Sequence, residues 1–174
     1  MPIGGSATLL AARALGERIR TIAAFTNGAH LAVAEVDVET GKVRVLRYVA
    51  VDDCGRIVNP ALVEGQIAGG IAQGLGGALS EHCVYDDAGQ LLSATLMDYA
   101  LPTFADVPPI ETHHLETPAP GIAGGFKGAG EAGATGAPAA ILNAVNDALA
   151  PLGVMLTDQP ITPERVMRAL RQKR

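Results

Sequence analysis

The chain has 174 residues, 48% of them hydrophobic, so we expect a single domain over residues 1–174 with a sizeable core. Its net charge of -5 and pI near 5.3 argue against a sequence-independent nucleic-acid binder, which needs a basic surface to neutralise phosphates. Charged residues make up only 18% of the chain, which is typical of a globular rather than a disordered protein.

The cysteine spacing and the length of the apolar runs indicate the cellular compartment. Cys54 and Cys83 have neither CxxC nor zinc-ligand spacing, so we expect reduced thiols. The first ten residues lack the basic and apolar regions of a secretory signal, and no apolar run reaches the roughly 18 residues of a membrane span. These patterns predict a cytoplasmic protein without a membrane span.

The first elements are a helix and a hairpin. Residues 7–20 predict an amphipathic helix with Ser6 as its N-cap. From residue 30 the hydrophobic period changes to two, and residues 30–38 and 43–51 predict two strands joined by a turn at 39–42. The sequence therefore predicts a β-hairpin after the first helix.

A second helix contains an unusual number of glycines. Asn59 and Pro60 form a typical helix start, and apolar residues then recur at steps of four as far as Leu79. Each glycine inside a helix costs about 1 kcal/mol relative to alanine. The glycines concerned are Gly65, Gly69, Gly70, Gly74, Gly76 and Gly77. We therefore expect either an element packed close to this helix or a ligand at its backbone.

The remaining elements are shorter. Residues 83–92 predict a second hairpin, residues 110–117 an edge strand and residues 154–156 a short strand. A helix is expected from about residue 135 or 138 to Leu149, and Thr162 caps a terminal helix. Hairpins combined with at least three helices, without regular strand-helix alternation, predict an α+β fold.

A glycine-rich loop precedes the helix that ends at Leu149. Residues 124–136 hold six glycines and a single carboxylate, that of Glu131. Glycine lets a backbone approach a ligand without a Cβ in the way. A flexible linker would normally carry serine and polar residues instead. The composition therefore favours a loop shaped around a bound group.

Two charged residues of this loop are candidates for chemistry. A carboxylate buried among glycine and alanine has little to stabilise its charge, which would make Glu131 a usable general base. The alternative is an exposed loop glutamate, or one placed at a helix N-terminus by the helix dipole. Lys127 can offset that charge or meet an anionic ligand, and it can equally be a solvated loop lysine.

The end of the second strand is a further candidate. Asp52, Asp53 and Cys54 follow this strand directly, a common position for ligand-binding groups. The helix start capped by Asn59 can accept an anion at its backbone amides, or it is simply a well-capped helix.

The amides and histidines complete the list of polar candidates. Gln66 and Gln73, seven positions apart on one helix face, can hydrogen-bond a polar ligand. The adjacent His113 and His114 would face opposite sides of a strand, and the other two histidines lack partners at ligand spacing. A metal site formed by protein side chains is therefore not expected.

Four motifs, taken together in order, resemble the molybdopterin-binding subunit of the xanthine oxidase family of molybdenum hydroxylases. The likeness is closest to the large subunits of aerobic carbon monoxide dehydrogenases and aldehyde oxidoreductases, and it runs from about Thr26 to Leu170. The motifs are Val51–Pro60, Val63–Gly74, Leu96–Tyr99 and Lys127–Gly133. By this resemblance, residues 26–174 are the main body of the C-terminal molybdopterin-binding domain.

The resemblance implies a cofactor and a reaction. The cofactor is molybdenum on molybdopterin, alone or as the cytosine dinucleotide, and the pterin rather than any side chain holds the metal. Glu131 is the active-site base of an enzyme that oxidises an aldehyde, an N-heterocycle or carbon monoxide with water as the oxygen source. The implied cofactor contacts are Asp53, Cys54, Gly55, Gln66, Lys127, Gly128, Ala129 and Gly130.

The resemblance also implies partners. Family subunits are several times longer, so a complementary molybdopterin-binding subunit is expected to supply the other pterin loops, with iron-sulfur and flavin groups on further chains. Residues 1–25 resemble the remnant of another pterin loop, Gly4–Ser6, and its helix, without the usual arginine after the serine. No iron-sulfur cysteine pattern is present. The alternative is a truncated or degenerate, non-enzymatic domain that self-associates through an exposed apolar surface.

Overall fold

The computed structural model describes residues 25–173. The strands are β1 (Asn27–Val36), β2 (Val43–Asp53) and β3 (Ile110–Leu115); the helices are α1 (Pro60–Leu79), α2 (Ala132–Leu149) and α3 (Pro163–Gln172), and a 3-10 turn covers Ala150–Leu152. The helix predicted for residues 7–20, its cap Ser6 and the Gly4–Ser6 loop lie outside the described residues. Between residues 25 and 173, no helix is both long and apolar enough to cross a bilayer.

The three strands form one sheet in the order β1-β2-β3. β1 and β2 are antiparallel, with Asn27 opposite Asp53, which confirms the predicted hairpin. β3 pairs in parallel with β2, starting with Ile110 opposite Tyr48, and lies at the sheet edge as predicted for residues 110–117. Because α1 lies on the connection between these parallel strands, the α+β fold includes one β-α-β crossover.

The predicted second hairpin is reduced to one antiparallel bridge, flanked by backbone hydrogen bonds from Leu92 to Val84 and from Asp86 to Gln90. Residues 83–92 contain one isolated bridge, between Tyr85 and Leu91, rather than two paired strands. Most of these residues are exposed, so a ribbon here would have no surface on which to pack. A two-stranded ribbon without such packing is at best marginally stable.

The chain near the end of α2 also differs from the prediction. Residues 154–156 do not form a strand, because the side chain of Asn146 hydrogen-bonds both backbone groups of Leu156, at 2.8 and 2.9 Å. Helix α2 begins at Ala132, a few residues before the predicted start, with Pro138 inside it. The strand predicted for residues 154–156 is therefore wrong, and the start predicted for helix α2 lies a few residues too late.

The core lies between the sheet and the two long helices. Its largest fully buried side chains include Tyr48, Ile67, Ile71, Leu75, Ile141, Leu149 and Ile161. Helix α2 packs against both β1 and α1. The first turn of α2 is thereby held beside the end of the sheet where β1 begins and β2 ends.

Glycines allow α1 and α2 to touch through their backbones. A Cβ added to Gly70 would lie 2.7 Å from the backbone nitrogen of Ala134, and one added to Gly133 would overlap the carbonyl oxygen of Ile67. The element expected to pack close to the glycine-rich helix is therefore α2. By contrast, a Cβ at Gly69 would have no atom of another element within 4 Å.

A buried ion pair ties the glycine-rich loop to the end of β2. The Nζ of Lys127 lies 3.1 Å from Oδ2 of Asp53, and their side chains are only 2% and 6% exposed. The other oxygen of Asp53 accepts the N–H groups of Gly55 and Thr117. The N–H of Lys127 donates to the carbonyl of Cys54 at 3.0 Å. Both charges are thus satisfied within the chain, as burial of an ion pair requires.

The helix contact yields a first prediction. Gly70→Ala should lower the free energy of unfolding by about 1–3 kcal/mol, because its methyl group collides with the backbone of α2. The neighbouring Gly69→Ala should instead raise it by about 0.5–1 kcal/mol, because the added methyl meets open space and alanine is the better helix former. Urea unfolding of both variants measures the difference, and equal effects would contradict the contact.

The ion pair yields a second prediction, on acid sensitivity. Burial alone would raise the pKa of Asp53, but hydrogen bonds from Thr117 and Gly55 and the ammonium of Lys127 together hold that pKa below its ordinary 3.8. A pKa lower in the folded than in the unfolded chain gives stability that is present above about pH 4 and is lost as the pH falls through the folded pKa.

We therefore expect the unfolding free energy to fall less steeply between about pH 6 and pH 2.5 in the Asp53→Asn/Lys127→Met double variant than in the unsubstituted chain. Replacing both partners avoids leaving one buried charge unpaired. Asp87→Asn, at an exposed turn position, serves as the control and should follow the unsubstituted chain. A double variant with the unsubstituted pH dependence would show that Asp53 does not carry the effect.

Candidate functional site

A cleft of about 480 Å³ opens where β1 begins, β2 ends and α2 starts. The glycine-rich loop forms one side of it through Gly128 and Gly130, and Gly28 of β1 lies on another. Its polar side chains are Thr26, Asn27, His30, Asp52, Glu131 and Thr135. Sequence positions more than 100 residues apart therefore meet in one concave surface.

Glu131 stands immediately before α2, in the N-cap position. Its carbonyl accepts the N–H and the hydroxyl of Thr135, at 3.1 and 3.0 Å, while its side chain makes no capping hydrogen bond. The side chain is exposed at the edge of the cleft. The buried carboxylate considered from the sequence is therefore not found within this chain alone, and the helix N-terminal alternative describes the position.

The backbone beside Glu131 is open to a ligand. The N–H groups of Gly128, Ala129 and Gly130 donate to no acceptor within residues 25–173. A Cβ placed on Gly128 or on Gly130 would have no other atom of the described part of the chain within 4 Å. The hydroxyl of Thr26 donates to the carbonyl of Gly128, which fastens this stretch to the chain entering β1. Three successive unpaired donors next to a helix start are suited to electronegative ligand atoms.

A row of buried polar groups lies beneath the cleft. His30 is held by the hydroxyl of Tyr48, 2.8 Å from Nδ1, and by Oδ1 of Asp52, 3.4 Å from Nε2. Burial, reinforced by the charge of Asp52, raises the pKa of Tyr48, so its hydroxyl keeps its proton. Oδ2 of Asp52 is buried and has no hydrogen-bond partner among residues 25–173. A Cβ on Gly136 would lie 2.7 Å from the His30 ring, so the imidazole packs directly against the N-terminal part of α2.

Four of the predicted cofactor contacts come together behind the loop, and none of them lines the cleft. Asp53 and Lys127 form the buried ion pair, and Gly55 forms a bridge with Phe126. Cys54 is buried, and burial together with the charge of Asp52 raises the pKa of its thiol. The side chains of this group fix the shape of the loop; their contact with a cofactor stays a prediction.

The predicted glutamines are placed differently. Gln66 and Gln73 are both exposed on α1, outside the cleft lining. Gly65 and Gly69, on the same helix, face open space. This surface of α1 has room for a second wall of a site, and the role of Gln66 stays a prediction.

Sequence reasoning missed His30 and Thr26 as site residues. The pattern nevertheless contained a signal for His30, because the hairpin register places Gly28 opposite Asp52 and His30 opposite Ala50. Alternate residues of paired strands share a face, so this register places His30 and Asp52 on one side of the sheet. Thr26 precedes β1 and carries no periodic signal.

Within the part of the chain that the structure describes, His, Cys, Asp and Glu side chains do not gather in the groups of three or more that could hold a metal ion. The chemistry available from this chain is that of one exposed carboxylate, a donor-rich backbone and a buried polar row.

Residues 20–108 match the molybdopterin cofactor-binding domain family, which is half of the chain. The chain is 51% identical over 145 residues to the nicotine 6-hydroxylase large subunit of Paenarthrobacter nicotinovorans and 41% identical over 145 residues to the carbon monoxide dehydrogenase large chain of Hydrogenophaga pseudoflava. Each alignment covers 83% of this chain and 18% of the relative.

A solved structure agrees with the sequence comparisons. Quinoline 2-oxidoreductase from Pseudomonas putida 86 superposes with a TM-score of 0.82 at 53% sequence identity, over 84% of this chain and 19% of that one. The chain thus spans less than a fifth of the length of these relatives. The family resemblance predicted from the four motifs is confirmed: the chain belongs to the molybdopterin cofactor-binding domain family.

Proposed function

We propose that the chain contributes the general base and part of the molybdopterin site of a molybdenum hydroxylase, with water as the oxygen source. The observation that carries the proposal is the exposed Glu131 carboxylate at a cleft, beside three backbone N–H groups that have no acceptor within the described residues. Among the substrates considered, an N-heterocycle is favoured over an aldehyde or carbon monoxide. Nicotine 6-hydroxylase and quinoline 2-oxidoreductase, at 51% and 53% identity, are more similar to this chain than the carbon monoxide dehydrogenase large chain at 41%.

The residues present fit molybdopterin in two respects. The Gly128 and Gly130 backbone offers a cradle that any Cβ would fill, and its N–H groups suit the many electronegative atoms of a pterin. The unpartnered Oδ2 of Asp52 can accept a hydrogen bond from an amino or amide donor. When bound, the cofactor would supply the metal centre that transfers oxygen and receives two electrons.

Glu131 would then take a proton at its carboxylate oxygen from the oxygen nucleophile. Its position depends on the first turn of α2, which rests on His30 and on the backbone of α1. Removing water from a carboxylate makes its charged form less favourable and the carboxylate a stronger base. Because Glu131 is exposed in this chain, the proposal requires a further wall over the cleft.

A complementary molybdopterin-binding polypeptide would supply that wall, with iron-sulfur and flavin groups on further subunits for the electrons. Support comes from the relatives, which include large chains and a subunit of a dehydrogenase complex. If the purified chain carries no molybdenum with or without its partners, the non-enzymatic alternative replaces this proposal.

The base is tested by one substitution. Glu131→Gln should leave the molybdenum content of the purified assembly unchanged and lower kcat for hydroxylation of an N-heterocycle by about 10²–10⁴-fold, because it removes proton transfer without removing bulk. Glu39→Gln, in the exposed hairpin turn, is the matched control and should behave as the unsubstituted protein. Unchanged turnover in Glu131→Gln would exclude it as the base.

The cradle is tested by filling it. Gly130→Val should fold normally, since no atom lies within 4 Å of the added Cβ and its φ is not in the left-handed region. It should nevertheless lower molybdenum content, measured by elemental analysis, because the side chain occupies the space reserved for the cofactor. Ala148→Val, exposed near the other end of α2, should retain full content. Full content in both variants would refute the cradle.

A further inference from the structure

The connection between α1 and β3 is long and irregular, yet held in shape. Residues 80–109, called the 80–109 surface below, contain no helix or strand. Asp86 accepts the N–H groups of Ala88 and Gln90 at 2.9 and 2.8 Å, which forms a tight turn. The hydroxyl of Tyr99 donates to Glu81 at 2.5 Å and anchors the middle of the segment near the end of α1. An irregular segment of this length in a compact domain commonly has a function.

Large apolar side chains on this surface are open to solvent. Met97 and Phe104 are 93% and 98% exposed, and Leu96 is 75% exposed. The same surface exposes Val84, Tyr85, Leu92 and Leu101. Monomeric proteins rarely leave many large apolar groups together in water, and such surfaces mark sites of protein contact.

The motif Leu96–Tyr99 explains how the surface is presented. Its polar residues, Asp98 and Tyr99, make hydrogen bonds within the chain. The hydroxyl of Thr95 donates to Asp98 at 3.0 Å, and the hydroxyl of Tyr99 donates to Glu81. The hydrogen bond to Glu81 raises the pKa of Tyr99 to about 12, so the phenol keeps its proton and the anchor persists at neutral pH. The apolar half, Leu96 and Met97, is exposed to solvent.

The charge of this surface restricts what can cover it. Of the chain's 18 acidic and 13 basic side chains, residues 80–109 hold five acidic and no basic ones, so the remaining sequence is balanced with 13 of each. A second copy docking through the same patch would place like charges against each other, because a two-fold interface is self-complementary. The charge pattern instead suits an apolar patch rimmed by lysine and arginine.

We propose that the 80–109 surface docks the complementary molybdopterin-binding polypeptide, through the exposed side chains of Leu96, Met97 and Phe104 and the acidic side chains of the same segment. The inference rests on the proposed function and identifies where the partner binds. The relatives at 51% and 41% identity carry more than four-fifths of their length outside the aligned region, which is the material available to cover this surface.

Photo-crosslinking identifies the occupant. The full chain, carrying p-benzoylphenylalanine in place of Met97 or of Phe104, is expressed in the cells that naturally contain it and irradiated, and the crosslinked peptides are identified by mass spectrometry. We expect crosslinks to a second polypeptide with molybdopterin-binding sequence. The same probe in place of Met155, which is 76% exposed but outside this surface, is the control and should give no such crosslink.

Crosslinks from Met97 and Phe104 to another copy of the chain, to a protein of another class, or to nothing would each overturn the proposal.

A second experiment measures the strength of association in the variants Met97→Asp and Phe104→Asp, with Met155→Asp as the control. The first two should weaken co-purification of the polypeptide by about tenfold or more, because they bury a charge in an apolar interface. Circular dichroism should show all three folded as the unsubstituted chain, since each position is exposed.

The two proposals fail separately. Crosslinks to a molybdopterin-binding polypeptide in an assembly without molybdenum would keep the docking surface and remove the proposed function. Molybdenum in an assembly whose partner never reaches Met97 or Phe104 would keep the proposed function and remove the docking surface.

The acidic side chains of this surface are tested by Asp87→Lys, which should weaken association with the partner most at low salt, where screening is least.

Discussion

The close contact between α1 and α2 is the constraint on which the site depends. At Gly70 and Gly133 no side chain separates the two backbones, so the helices cannot shift without losing contact or colliding. The start of α2 is thereby fixed, and with it the backbone of Glu131 one residue earlier. On the other side the imidazole of His30 fills the space that a Cβ on Gly136 would need. Contacts from α1 and from the sheet thus hold the start of α2, and with it the backbone of Glu131, in one position.

Around Glu131, a buried ion pair maintains the shape of the glycine-rich loop, and the loop backbone is the surface open to a ligand. Asp53 and Lys127 neutralise each other behind the loop, where their hydrogen bonds hold the chain in shape. The surface offered to a ligand is instead backbone, at Gly128 and Gly130, with one carboxylate beside it. Because the two charges of the ion pair neutralise each other, the pair adds no net charge to this surface. A bound group would therefore meet directed N–H donors beside the Glu131 carboxylate.

The sequence predicted those features that local pattern controls. The hairpin followed from period-two alternation, and Asn59 does cap α1, accepting the N–H of Leu62 at 3.2 Å. The family followed from four motifs in order. Features decided by tertiary contact were not predicted: the side chain of Asn146 replaces the strand expected at residues 154–156.

At the site, too, local sequence pattern predicted the residue, and tertiary contacts determined its environment. Glu131 was identified from the loop composition, whereas its exposure depends on which surfaces surround it and cannot be inferred from neighbours in sequence. The role of His30 required the register between two strands, and only the packing of Gly136 against its ring connects it with α2.

The parallel pairing of β3 has a consequence for the order of folding. Ile110 pairs with Tyr48, 62 positions earlier, whereas the turn between β1 and β2 closes over only a few residues. Loop closure costs more entropy for distant partners, and contacts between such partners form slowly. The hairpin is therefore expected to form before β3 pairs with β2. During that interval the outer edge of β2 is an open template to which other nascent chains can add.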